Sequence, residues 1–101
     1  MSIVKWTHTA LDDLAAIKEY IARDSVYYAE KFGDDAFAAT EKLELFPEMG
    51  RLLPERNDPN IRELIFGSYR IMYTIDGDYC YIIAMIHGKR LYVPEEMPDS
   101  H

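Results

Sequence analysis

The chain holds one cysteine, Cys80, so no internal disulfide can form, and a single thiol in an apolar stretch reads as a small buried hydrophobe. Long apolar runs are missing too: the stretch from Ile82 to Ile86 is far shorter than a bilayer span requires. No basic stretch followed by an apolar one opens the N-terminus, so the expectation is a cytoplasmic protein with no signal, anchor or membrane contact. Positive charge is scarce. Eleven Lys and Arg face eighteen Asp and Glu, for a net charge of −7, which argues against general nucleic-acid affinity. There is no GxxxxGK phosphate loop, no GxGxxG and no GxSxG elbow, and three scattered histidines with one cysteine make no zinc site. Neither metal nor cofactor is expected.

What remains is an ordinary globular composition, 49% hydrophobic and 29% charged over 101 residues, the size of one domain. That domain is expected over 1–94, followed by an acidic, mobile tail over 95–101. Charge is unevenly spread. Residues 1–48 hold ten acids and five bases, residues 49–94 five acids and six bases, and the last seven residues three acids. A positive pocket can therefore exist within an acidic protein.

The C-terminal half predicts three consecutive strands. Tyr69–Ile75 and Asp78–Ile86 are rich in Tyr and Ile and meet at Asp76-Gly77, a hairpin signal of the type I′ kind. Counting outward pairs Ile75 with Asp78, Tyr73 with Cys80, Ile71 with Ile82 and Tyr69 with Ala84 on one face. With a turn at Gly67-Ser68, Leu64 and Phe66 join that aliphatic face. The opposite face then carries Glu63, Ile65, Arg70, Met72, Thr74, Tyr79, Tyr81, Ile83, Met85 and His87, and it is taken as the exposed working surface.

Upstream, residues 2–6 read as a strand. Thr9 with Asp12 resembles a capping box for a helix carrying Leu11, Leu14, Ile17 and Ile21. Ser25 is a good N-cap for a second helix with the stripe Ala29, Phe32, Ala36, Ala39, Leu43 and Phe46, ended by Pro47. Gly33 within it suggests a close helix-to-helix approach, so the two helices form a hairpin over the aliphatic face. Residues 47–60, with three prolines, read as an ordered loop.

Bland readings sit beside functional ones. The pairs Asp12-Asp13 and Asp34-Asp35 read as solvated surface. Arg70 is either a surface arginine stacked on Tyr81 or paired with Glu63, or a bidentate clamp for phosphate or carboxylate. His87 is either a hydrogen-bonded structural histidine or a general acid or base. The expected register sets these two roughly 13 Å apart along the strands.

Taken in order, VKWTHTALDDLAAIKEYIARDS, FPEMGR, NIREL and GSYRIMYTIDGDYCYIIAMIHGKR give the chain a resemblance to the RelE/ParE toxin superfamily of bacterial type II toxin–antitoxin systems, often labelled plasmid stabilisation proteins. The resemblance covers roughly residues 3–90. It implies an α+β fold in the order β-α-α-β-β-β, with an N-terminal strand and a two-helix hairpin packed on one face of an antiparallel sheet core. A cognate antitoxin that wraps and neutralises the toxin is implied as well, as is a hetero-oligomer of the two.

The superfamily offers two activities. RelE-like members cleave mRNA at the ribosome, and for that reading Arg51, Arg70 and His87 would be catalytic. ParE-like members inhibit DNA gyrase. The acidic charge and the HGKR ending look nearer to the ParE-like branch, so a gyrase-directed, non-nucleolytic toxin is expected, with a ribosome-dependent mRNA interferase second and an inactive interaction module third. Antitoxin or target binding is expected at Arg62, Arg70, Met72, Tyr79, Tyr81, Met85, Lys89 and Arg90, through the exposed sheet face and the helix-hairpin grooves.

Overall fold

The computed structural model describes residues 1–93, so the expected tail over 95–101 lies outside the described residues. The chain begins with strand β1 (Ile3–Trp6) and helices α1 (His8–Ala22) and α2 (Val26–Glu41). Strands β2 (Arg51–Leu52), β3 (Ile61–Phe66), β4 (Tyr69–Asp76) and β5 (Tyr79–His87) follow. Among the described residues these strands form one sheet in the order β1-β5-β4-β3-β2. The α+β class agrees with the expectation, and so does the element order apart from β2, a short strand inside the stretch 47–60 that was expected to be loop. The sheet is mixed, however: β2 to β5 are antiparallel, while β1 returns to the edge beside β5 and runs parallel to it.

Both helices cover the aliphatic face. Ala10 and Leu14 of α1, Ala36 of α2 and Leu43 pack on Ile71, Tyr73, Cys80, Ile82 and Met85. Helix α1 is capped by Thr7, not Thr9. The Thr7 hydroxyl accepts from Ala10 N at 3.2 Å and donates to Ile82 O at 2.8 Å, so one residue ends β1 and starts the helix. Ser25 caps α2 as expected, accepting from Tyr28 N at 3.1 Å. The α-helix stops at Glu41, before Pro47, and a 3-10 turn over Lys42–Glu44 follows. Phe46 therefore leaves the stripe and stands exposed. Gly33 is buried where the Lys18 side chain crosses it, which is the close approach its position suggested.

The β4–β5 hairpin departs from the expected register in two places. Its two-residue loop is Gly77-Asp78, with Asp76 paired to Tyr79 and Ile75 to Cys80. Gly77 has φ 58° and no described non-glycine residue has positive φ, so glycine alone takes the left-handed position, as a II′ turn requires. The slip is two residues, which leaves Tyr73, Ile75, Cys80 and Ile82 on the predicted face. Then a bulge intervenes. Tyr73 pairs with Ile82 but Met72 pairs with Ala84, leaving Ile83 as the extra residue on β5. Beyond it every side chain changes face: Met85 turns into the core beneath the helices and Ala84 turns away from it.

The opposite face is also not the free surface expected. Leu53, Ile61, Met72 and Ala84 are buried there as a second cluster, packed by Ile83, Ile86 and Tyr92. Met72 and Met85 are 0% and 2% exposed and offer nothing to a partner. Tyr79 and Tyr81 remain half-buried, their rings stacked at 5.5 Å.

The loop before β2 is pinned by a core tyrosine. Tyr73 is fully buried, and its hydroxyl donates to Pro47 O at 2.7 Å and accepts from Gly50 N at 2.9 Å. A Cβ at Gly50 would lie 2.6 Å from both Glu63 O and Tyr73 Cε1, contacts that no rotamer change relieves. Gly50→Ala is expected to destabilise the protein by about 1–3 kcal/mol, the range for overpacking a filled site. Urea unfolding of the two proteins measures it, and an unchanged midpoint would contradict the geometry.

Candidate functional site

Arg70 is the second residue of β4, beside the β3–β4 turn, and is only 6% exposed. A buried guanidinium requires partners for its donors, and three are present. Nε donates to Glu63 Oε1, Nη1 to Arg90 O at 2.8 Å and Nη2 to Glu55 Oε1 at 2.7 Å. The second Glu63 oxygen accepts from Arg51 Nε, and the second Glu55 oxygen accepts from Tyr92 N at 3.0 Å. The result is a chain of alternating charge, Arg51–Glu63–Arg70–Glu55, in which the Glu63 side chain is 0% exposed. The pairing with Glu63 is as one reading expected, but Arg70 is buried and not the surface arginine expected. Alternation had already put Glu63 beside it, whereas nothing in the loop sequence marked Glu55.

The other arginines divide similarly. Arg62 Nη1 donates to Gly50 O at 2.8 Å and to Glu48 O at 3.3 Å, holding the loop that the FPEMGR segment forms. Arg51 gives only its Nε to Glu63 among the described contacts, and its side chain is 62% exposed. Lys89 and Arg90 are exposed just beyond β5 and form no ion pair among the described residues.

The turn slip of two and the bulge of one together bring His87 close to Arg70 in register. His87 pairs with Tyr69 and Arg70 with Ile86, so the expected four-residue separation falls to one. His87 is exposed, its Nδ1 accepts from Lys89 N at 3.2 Å, and its ring meets Tyr69 edge-on at 5.6 Å. Gly88 N donates to Ser68 O at 2.7 Å, drawing the end of β5 against the β3–β4 turn. Between these segments lies a cleft of about 560 Å³ that brings together Arg51, Arg70, His87, Lys89 and Arg90. Arg62, Tyr79 and Tyr81 do not line it.

One acid was misread. Asp13 is half-buried on α1, and its Oδ2 accepts from Met85 N at 2.9 Å, satisfying a donor just past the bulge. Burial pushes its carboxyl above the ordinary value, and the Met85 bond opposes that rise. Only the three-dimensional path of β5 reveals this role. Asp35 behaves as expected, exposed and paired with Lys31 at 2.9 Å.

The charge chain has consequences for stability. The Arg70 bond holds the Glu55 carboxyl at about 2, against an ordinary 4.5, although burial works the other way. A folded-state value below the unfolded one means the bond contributes fully above about pH 4.5 and is lost as pH falls towards about 2. Stability measured by urea midpoints should therefore fall across that window, and Glu55→Gln should flatten the fall. A parallel pair of curves would sink the assignment. Glu63→Ala leaves two arginines without their shared carboxylate and should lower stability by about 3–5 kcal/mol, the range for breaking a buried ion pair.

Comparison with known proteins gives this geometry its family. Residues 4–92 match the model of the ParE toxin of the type II toxin–antitoxin system parDE. Toxin RelE2 of Caulobacter vibrioides is 34% identical over 92 residues, 90% of this chain and 100% of that protein. A structure described as the chromosomal ParDE TA system from P. aeruginosa superposes with a TM-score of 0.73 at 23% identity, covering 86% of this chain and 96% of the other. The toxin–antitoxin complex RelBE2 from Mycobacterium tuberculosis superposes with a TM-score of 0.55 at 23% identity, covering 85% and 96%. These two structures share the fold. With its family match running from β1 to Tyr92, the chain belongs to the ParE toxin family of type II toxin–antitoxin systems, within the RelE/ParE superfamily.

Proposed function

We propose that the protein arrests growth as a ParE-like toxin, acting on DNA gyrase without cutting nucleic acid and silenced by a cognate antitoxin in a hetero-oligomer. The observation that carries this reading is the engagement of Arg70. Phosphodiester cleavage needs a cation free to meet the charge that develops on the phosphate. Arg70 is 6% exposed and already bonded to two carboxylates and a carbonyl. Withdrawing it for a phosphate would leave Glu63 buried with one partner fewer. The net charge of −7 supports the same side, since RNA approaches an acidic protein against repulsion.

A second reading is favoured by the curated relative's name, Toxin RelE2, and by His87. In that reading His87 as an imidazolium, having given up the bond its Nδ1 accepts from Lys89 N, would protonate the leaving oxygen while the outer nitrogens of Arg51 meet the phosphate. Expression with and without the neighbouring antitoxin gene, followed by DNA supercoiling and transcript-integrity assays, separates the two. The expected result is growth arrest with lost supercoiling, intact transcripts and full toxicity in His87→Ala. Ribosome-dependent mRNA cleavage that vanishes in His87→Ala would reverse the ranking, and unaffected growth would leave an interaction module.

A further inference from the structure

We propose that the cleft beside the β3–β4 turn receives an acidic segment of the antitoxin that inserts one large apolar side chain, an assignment that rests on the toxin–antitoxin reading above. The cleft has the size of a specific side-chain or ligand pocket, about 560 Å³. Its walls are apolar: Ile65 and Leu91 line it at 61% and 72% exposure, an isoleucine on a strand and a leucine with their surfaces left to water. Its lining is also cationic. Arg51, Lys89 and Arg90 contribute exposed side chains and Arg70 a buried one.

The acids at this site are already committed. Glu55 and Glu63 are both bonded to arginine, and the four cations exceed these two carboxylates by two, in a protein that is otherwise acidic. The terminal nitrogens of Arg51 have no protein partner among the described residues, which suits them to grip a carboxylate side-on. Arg70 is immobilised by its own bonds, so binding costs little ordering there. An acidic chain is steered to this patch by its local cations. Single-stranded nucleic acid would need an aromatic face for stacking. The one aromatic ring besides His87 in the lining, Tyr69, already meets Phe32 at 5.4 Å and His87 at 5.6 Å.

The test uses the purified full-length chain and three labelled probes: a peptide of glutamates flanking one phenylalanine, the same peptide with alanine at its centre, and an oligouridylate of equal charge. The phenylalanine peptide should bind, and the alanine peptide about tenfold more weakly, as for loss of a central anchor. Ile65→Glu and Lys89→Glu, both at exposed positions, should each weaken the phenylalanine peptide by about tenfold or more. Tyr27→Ala, on the outer surface of α2, should not. Undiminished binding by Ile65→Glu overturns the proposal, as does failure of the wild type to bind or tighter binding of the oligouridylate. In co-expressing cells, the antitoxin should be retained in pull-downs by the wild type and by Tyr27→Ala and lost by Ile65→Glu. If the wild type does not arrest growth, the toxin reading fails while the peptide titration still decides the cleft.

Discussion

Glu63 is the carboxylate on which the open end of the sheet depends. It is wholly removed from water and lies between Arg51 on β2 and Arg70 on β4, so one side chain ties three neighbouring strands. Burying such charges is expensive, and apolar residues of the same volume often hold a fold as well or better. What apolar packing does not supply is direction. Arg70 has fixed donor vectors, and it uses them to place Glu55 and the carbonyl of Arg90 as well as Glu63. Glu55 in turn holds Tyr92 N, so the loop after β2 and the segment after β5 are both located by one guanidinium. Those two segments roof the second core cluster and bound the cleft. The charge chain thus acts chiefly on where irregular segments lie, and the cleft inherits its rigidity.

A second constraint acts at the other edge of β5. There β1 pairs only as far as Ile82, where Thr7 delivers its amide and its hydroxyl to the same carbonyl. The chain then turns into α1, and its Asp13 reaches back to Met85 N. The bulge at Ile83 falls between these two contacts. One strand edge is therefore served first by a strand and then by a helix, and an extra residue accommodates the change. Because the side-chain period of a strand is two, that residue reverses the facing of everything after it. Met85 joins the helix-side core, and His87 comes to rest beside Tyr69 at the cleft.

This explains which parts of the molecule the sequence made legible. The helices, the three-strand meander and the sorting of Ile71, Tyr73, Cys80 and Ile82 to the helix side follow from local periodicity and turn residues, and they hold despite a register slip of two. Local rules do not see what a distant segment does. The bulge is set by Thr7 and Asp13, some seventy-odd positions away in sequence (|i−j| of 75 and 72), and so the faces of Ala84, Met85 and His87 were unreadable. The covering of the second face was unreadable for the same reason, since Leu53 and Tyr92 come from segments without periodicity. Of the site residues, Arg70 and Glu63 were visible as neighbours on one face. Glu55, which decides whether Arg70 is available, was not.

Net charge is a weaker guide to the target than these contacts are. Fields of exposed charges decay over about 8 Å at physiological ionic strength, so the acids on the helices are largely screened from a ligand entering across the sheet. Within the cleft the local balance governs, and it is positive despite the chain's −7. An acidic protein can therefore present a basic mouth, and acidity alone does not separate a peptide from a nucleic acid there. The partition among the arginines does more. With Arg62 held by loop carbonyls and the buried Arg70 by Glu55 and Glu63, the cations left to meet a partner in the cleft are the exposed Arg51, Lys89 and Arg90. Exposed charge beside apolar walls is the layout of a protein–protein hot spot, where desolvated apolar contact supplies affinity and peripheral charge supplies orientation. A phosphate requires the opposite arrangement, with the buried charge free.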